Sequence, residues 1–149
     1  MPITISSLLR PELVELNLTA GSMDEAISAT AGLLAQRGEV LDFTRFCDEL
    51  LMREKLCTTA IGNGVAFPHA RSDSVREIVM AVGRSAAGVE CEGGAQHVHL
   101  LFVIGTPKER VREYLALVGQ LARQLKSSKL CEDLLEAKSA EEFLARLDG

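Results

Sequence analysis

Two near-continuous apolar runs, residues 78–82 and 98–104, constrain this chain more than any other feature. A strand with one solvated face alternates apolar and polar residues, whereas a strand that is apolar throughout must be covered on both faces. Helical patterns on either side supply the covers. Upstream, Ser22 reads as an N-cap and Glu25 completes a capping box. Met23, Ala26, Ile27, Thr30 and Leu34 then keep helical spacing up to a stop at Gly38. A second helix is expected from the Asp42 cap to about Lys55, burying Phe43, Phe46, Leu50 and Leu51. Downstream, Thr106 and Pro107 read as N-cap and first position of a long helix. Its apolar face is Val111, Tyr114, Leu115, Val118, Leu121 and Leu125. A short helix over 130–137 follows, and a capping box at Ser139 and Glu142 opens a last one. With shorter strands at 13–16 and 65–67, the pattern predicts an α/β (α+β) fold. The expected architecture is a helix–sheet–helix sandwich around a mixed sheet of about five strands.

The elements follow one another closely, without repeat or linker, so residues 1–149 are expected to form a single domain. A net charge of −5 speaks against nucleic-acid binding, which calls for a basic face. No run approaches the roughly 18 apolar residues of a membrane span, and no basic segment with an apolar core opens the chain. Cys47, Cys57, Cys91 and Cys131 form no C-x-x-C pair and match no zinc spacing. The expectation is a cytoplasmic protein with reduced, mostly buried thiols and no direct membrane insertion.

The segment TTAIGNGVAFPHAR, residues 58–71, stands apart. Gly62 and Gly64 flank Asn63, which predicts a turn through conformations other residues avoid. Residues 65–67 are extended, and Pro68 pushes Phe67 away from helix and removes a ladder donor. His69 is therefore expected just past a strand end, beside the glycine loop. Successive N–H groups in such a loop can make an anion site. A neutral imidazole at its edge can attack phosphorus and form a phosphohistidine. A tight turn with an incidental surface histidine is the other reading of the same residues.

This stretch resembles the phosphorylation motif of the type 2 enzyme IIA family of the bacterial phosphotransferase system. That pattern is close to R-E…T-x-I-G-N/D-G-x-A-x-P-H; Arg53, Glu54, Thr58, Thr59, Gly62, Asn63, Gly64, Ala66, Pro68 and His69 fall in register. The resemblance implies a fold like the mannitol and fructose enzymes IIA, and His69 as phosphoryl acceptor. It implies Arg53 as the guanidinium that steadies the phosphoryl group, and a binding loop of Gly62, Asn63, Gly64 and Pro68. The implied donor is the histidine phosphocarrier protein, charged by enzyme I from phosphoenolpyruvate. The implied acceptor is a IIB domain or a regulatory partner, with no cofactor or metal. The wording G-N-G-x-A-x-P-H-x-R and the lack of a fused IIB, IIC or carrier domain point to the stand-alone nitrogen-regulatory branch. For Arg53, a solvated residue favourable to a helix end is the alternative.

Many relatives carry a second histidine early in the long helix, where this chain has Tyr114. A phenol can donate one hydrogen bond to a phosphoryl oxygen but, with a pKa near 10, supplies no positive charge. Tyr114 can equally pack on the apolar helix face. Its presence also leaves open a regulatory binding module that keeps the fold but carries no phosphoryl flux. Arg71, two residues after His69, points to the same side of an extended chain. It could serve phosphate or a partner's acidic rim, although an ordinary surface charge is the simpler reading. His97 and His99 share a strand face and could join His69 in a three-histidine metal site. Nothing local brings them together. Residues 92–98 only loosely resemble the D-G-x-P-V that relatives carry before this strand.

Overall fold

The computed structural model describes residues 4–91, 94 and 96–148. In chain order its elements are α1 (Ile5–Leu8), β1 (Val14–Glu15), α2 (Met23–Ala31), α3 (Phe43–Leu56), β2 (Ala60–Gly62), β3 (Val65–Ala66) and β4 (His69–Arg71). They continue with β5 (Val79–Cys91), β6 (Gln96–Thr106), α4 (Val111–Gln124), α5 (Ser128–Glu136) and α6 (Ala140–Asp148). The six strands form one mixed sheet in the order β1-β5-β6-β3-β2, with β4 also on β6. The antiparallel β5–β6 pair is its centre, and β1, β3 and β4 add in parallel.

Both apolar runs are strands, and both strands are longer than the runs. From Val79 to Gly83 every residue of β5 is buried; beyond Ser85, Val89 and Cys91 are buried and Ala86, Ala87 and Glu90 exposed. That half has one covered face, so no continuous apolar run announces it.

Two glycines locate the helical layers. A Cβ at Gly83 would strike Thr30 of α2, and one at Gly105 would strike the Phe46 ring of α3. That face carries α2 and α3. Side chains alternate across a strand, so Met80, Ile104 and Arg84 point to the other face, where Arg84 reaches the end of α5. Helices thus cover both faces, with Phe46, Phe102, Phe143, Leu101, Ile104 and Leu121 fully buried between them. Among the described residues, no helix is long and apolar enough to cross a membrane.

The caps at Ser22, Asp42 and Ser139 form as their side chains imply, each accepting the N–H three residues on. The far half of two boxes differs: Glu25 and Glu142 accept from Gly21 and Lys138, one residue before the cap. Four boundaries differ from the sequence reading. The first strand is two residues long, because Leu13 closes a 3-10 turn begun at Pro11. α2 ends at Ala31 and tightens into a 3-10 turn over Gly32–Leu34, short of Gly38. Thr106 caps nothing: β6 runs through it, paired with Arg71, and a 3-10 turn at Lys108–Arg110 precedes α4. α5 starts earlier than 130, with Ser127 as its cap.

Candidate functional site

Proline sets the local geometry. β3 pairs with Leu100 and Leu101, and the chain regains β6 as β4, opposite Ile104, Gly105 and Thr106. Pro68 between them has no N–H to give, but its carbonyl accepts from Ile104 N at 2.9 Å. Ser72 N donates to Thr106 O, also at 2.9 Å. Backbone groups at 68 and 72 therefore face β6, and those of His69 and Arg71 face the opposite edge. The side chains of His69 and Arg71 share one face of the sheet. His69 thus lies past the end of β3, as expected, and is also the first residue of a further strand, β4.

The His69 ring is partly buried, and its Nδ1 lies 2.9 Å from Phe67 O. A carbonyl only accepts, so Nδ1 carries the hydrogen and donates it. In the neutral ring the lone pair is then on Nε2. Tyr114 of α4 packs on the ring, with centroids 5.7 Å apart and planes at 42°. Only 6% of Tyr114 is exposed. Burial raises its pKa above the ordinary 10.0, while the positive charges of Arg53 and Arg71 pull the other way. The phenol stays protonated and able to donate.

In front of His69 opens a cleft of about 360 Å³, lined by Glu49, Met52, Arg53 and Leu56 of α3 and by His69, Ala70 and Arg71 of β4. Arg53 Nη1 donates to Cys57 O at 2.9 Å, anchoring the guanidinium at the helix end. Glu54 grips Thr59 twice, from its N–H at 3.0 Å and its hydroxyl at 2.7 Å. The R-E…T pattern is thus a clasp between α3 and the β2–β3 hairpin. Glu49 accepts from the buried Ser72 and Ser74 hydroxyls and pairs with Arg45 at 3.7 Å. Sequence reasoning missed Glu49, Met52 and Leu56. Their signal was present, since 49, 52, 53 and 56 share one helical face, but a surface stripe resembles many others.

The structure brings His69, Arg53, Tyr114 and Arg71 together, and Pro68 adjoins them. It separates the glycine turn from them. Gly62, Asn63 and Gly64 all have positive φ, at 99°, 55° and 74°. Their turn closes the β2–β3 hairpin, with Gly64 O accepting from His99 N. Five steps of largely extended chain separate Gly64 from His69, roughly 16 Å at about 3.3 Å each. The Asn63 amide instead donates to Leu125 O at 3.1 Å and Lys126 O at 3.2 Å, capping the end of α4. Gly62, Asn63 and Gly64, which the resemblance implied as a binding loop, form a hairpin turn at the far end of the strand from His69. The three histidines stay apart as well. His99 Nδ1 bonds Ser85 O, His97 faces Glu90, and His69 is paired five residues farther along β6. Among the described residues no cluster of three histidine, cysteine or acidic side chains could hold a metal. Cys57 is exposed beside the cleft, Cys47 half-buried, and only Cys91 and Cys131 are buried. The stretch compared with D-G-x-P-V lies largely outside the described residues.

Known proteins resemble this chain in sequence and fold. Residues 7–149 match the family "Phosphoenolpyruvate-dependent sugar phosphotransferase system, EIIA 2". The chain is 33% identical to the fructose-specific EIIA component of Haloferax volcanii, over 95% of this chain and 93% of that one. It is 32% identical to the nitrogen regulatory protein of Pseudomonas aeruginosa, over 93% and 91%. It spans only 22% of the fructose-specific EIIABC component of Bacillus subtilis, at 30% identity over 94% of this chain. Nitrogen regulatory protein IIA-Ntr from Neisseria meningitidis superposes with a TM-score of 0.87 at 30% identity, covering 96% of this chain and 98% of that one. Escherichia coli enzyme IIA for mannitol, solved in complex with phosphorylated enzyme IIB, superposes at 0.83 with 25% identity, over 95% and 97%. The chain belongs to the EIIA 2 family of the phosphoenolpyruvate-dependent sugar phosphotransferase system.

Proposed function

We propose that this chain works as a single-domain phosphocarrier whose acceptor atom is Nε2 of His69. The observation that carries the reading is the bond from Nδ1 to Phe67 O, which fixes the tautomer and leaves the lone pair on Nε2 of a ring that lines the cleft. The pair on Nε2 attacks phosphorus as the donor's phosphorus–nitrogen bond breaks, and the electrons of that bond return to the donor ring. If the donor ring is protonated at its other nitrogen it leaves as neutral imidazole, and no proton moves. The charge spread over the transferring oxygens calls for fixed donors around it. Arg53, anchored at Cys57 O, is one, and the Tyr114 hydroxyl is another. Met52, Leu56 and Leu115 are exposed around the site, and Leu56 is 82% exposed. Such an apolar rim suits a modest, transient protein interface. The donor in this reading is the histidine phosphocarrier protein. The acceptor is a IIB domain, as the mannitol complex suggests, or a regulatory partner. The four free thiols fit a cytoplasmic site.

Incubation with enzyme I, the carrier protein and phosphoenolpyruvate tests the reading. An acid-labile phosphoryl group that disappears in His69→Ala is the expected result. The second reading, a regulatory module without phosphoryl flux, draws on Tyr114 in the second-histidine position and on the nitrogen regulatory relatives. An intact chain that takes no label would replace the first reading with the second.

A further inference from the structure

We propose that Arg71 is the second cation of the phosphoryl site, gripping the transferring group from the strand side while Arg53 holds it from the helix. The inference rests on the phosphocarrier reading and extends it to a residue to which the resemblance assigned no role. Three observations converge. Strand alternation puts Arg71 on the His69 face of β4, fixed by the backbone bonds at Pro68 and Ser72. Arg71 and Arg53 line the same cleft as His69. The charges of both act on Tyr114, whose ring packs on His69. Among the described residues, neither Arg53 nor Arg71 forms an ion pair, whereas Arg37, Arg45, Arg110 and Arg146 each meet a carboxylate. The acid in the cleft wall, Glu49, is engaged by Arg45 and two serine hydroxyls.

Charge makes the second guanidinium useful. A phosphoryl group on nitrogen approaches two negative charges near neutral pH, and Arg53 balances one. The Tyr114 phenol is neutral and gives a hydrogen bond without charge. Arg71 adds a second fixed positive charge beside the phosphoryl oxygens, and its planar fork can take two of them at once. During transfer it makes and breaks no covalent bond; it follows the oxygens as phosphorus passes from donor nitrogen to Nε2.

The test uses the intact chain and two donors: the phosphorylated carrier protein and phosphoramidate, a small donor with no protein surface. Arg71→Gln is expected to slow phosphorylation from both by on the order of tenfold or more. It is also expected to raise the phosphoryl pKa, read by ³¹P NMR of the phosphorylated chain, by about one unit. Arg71→Lys, which keeps the charge without the fork, should fall between, and the thermal midpoint should not move. Slowing with the carrier protein alone, with phosphoramidate rate and phosphoryl pKa unchanged, would make Arg71 a docking residue and overturn the proposal. An unchanged rate with both donors would overturn it too. Absence of label in the unaltered chain would instead strike the phosphocarrier reading on which it stands.

Discussion

A neutral imidazole offers either nitrogen for reaction until a neighbour claims one. In His69 the claimant is Phe67 O, two residues back, so the choice is made by main chain. Tyr114 then tests what a side chain adds. Tyr114→Phe keeps the ring packed on His69 and removes only the donor. The phosphoryl equilibrium with the carrier protein should shift away from this chain by about tenfold or more, one bond to a charged group being worth about 1.5–3 kcal/mol. An unchanged equilibrium would leave Tyr114 as packing alone. His69 and Arg53 were legible because a motif puts them in register. Arg71 was visible through the two-residue strand period, but charged residues on strands are too common to single it out. Gly62, Asn63 and Gly64 were misjudged because nearness in sequence is not nearness in space where the chain is extended.

At the level of elements, the motif joins pieces of the fold. Glu54→Ala frees the Thr59 N–H and hydroxyl and loosens α3 from the hairpin. Urea unfolding should show a loss of about 1–2 kcal/mol at unchanged m-value. Asn63→Ala leaves the Leu125 and Lys126 carbonyls after α4 without this donor and puts a residue with no side-chain hydrogen bond at φ 55°. A loss of about 1–2 kcal/mol is expected, with the phosphorylation rate changed less than threefold; a large rate effect would return the turn to the site. Burial also sets a pH response. Cys131 on α5 has its pKa raised from 9.0 by desolvation. Below that value both states hold the proton; above it the unfolded chain loses the proton first, so stability falls as pH rises. The decline from this thiol should start near pH 9 with a slope of at most about 1.4 kcal/mol per pH unit, and Cys131→Ala should remove that part, leaving the fall due to buried Tyr114 at higher pH. Caps at Ser22, Asp42 and Ser139 were readable in the sequence because a short polar side chain and an apolar period coincide there. Thr106–Pro107 misled because the same pair also suits the end of a strand, and β4 across from β6 decided the matter.

For the molecule as a whole, the covered sheet was legible in two apolar runs, while its order and parallel additions were not, since pairing is settled by distant residues. Arg84 is one such tie. From mid-sheet it donates to Leu16 O at 3.2 Å, Leu134 O at 2.9 Å and Ala137 O at 2.7 Å, and burial lowers its pKa. Arg84→Met should cost about 3 kcal/mol, seen as a lower urea midpoint, because buried carbonyls lose their donor; a change under about 0.5 kcal/mol would show that water replaces it. Helix α4 touches His69 through Tyr114 near its start and meets the turn through Leu125 at its end. Eleven helical steps of about 1.5 Å and five extended steps of about 3.3 Å both come to roughly 16 Å. Helix and strand are therefore two rulers cut to one length, nailed together at both ends. Lengthening either by a single residue would set the tyrosine out of line with its histidine, although every atom of the reacting group was left untouched.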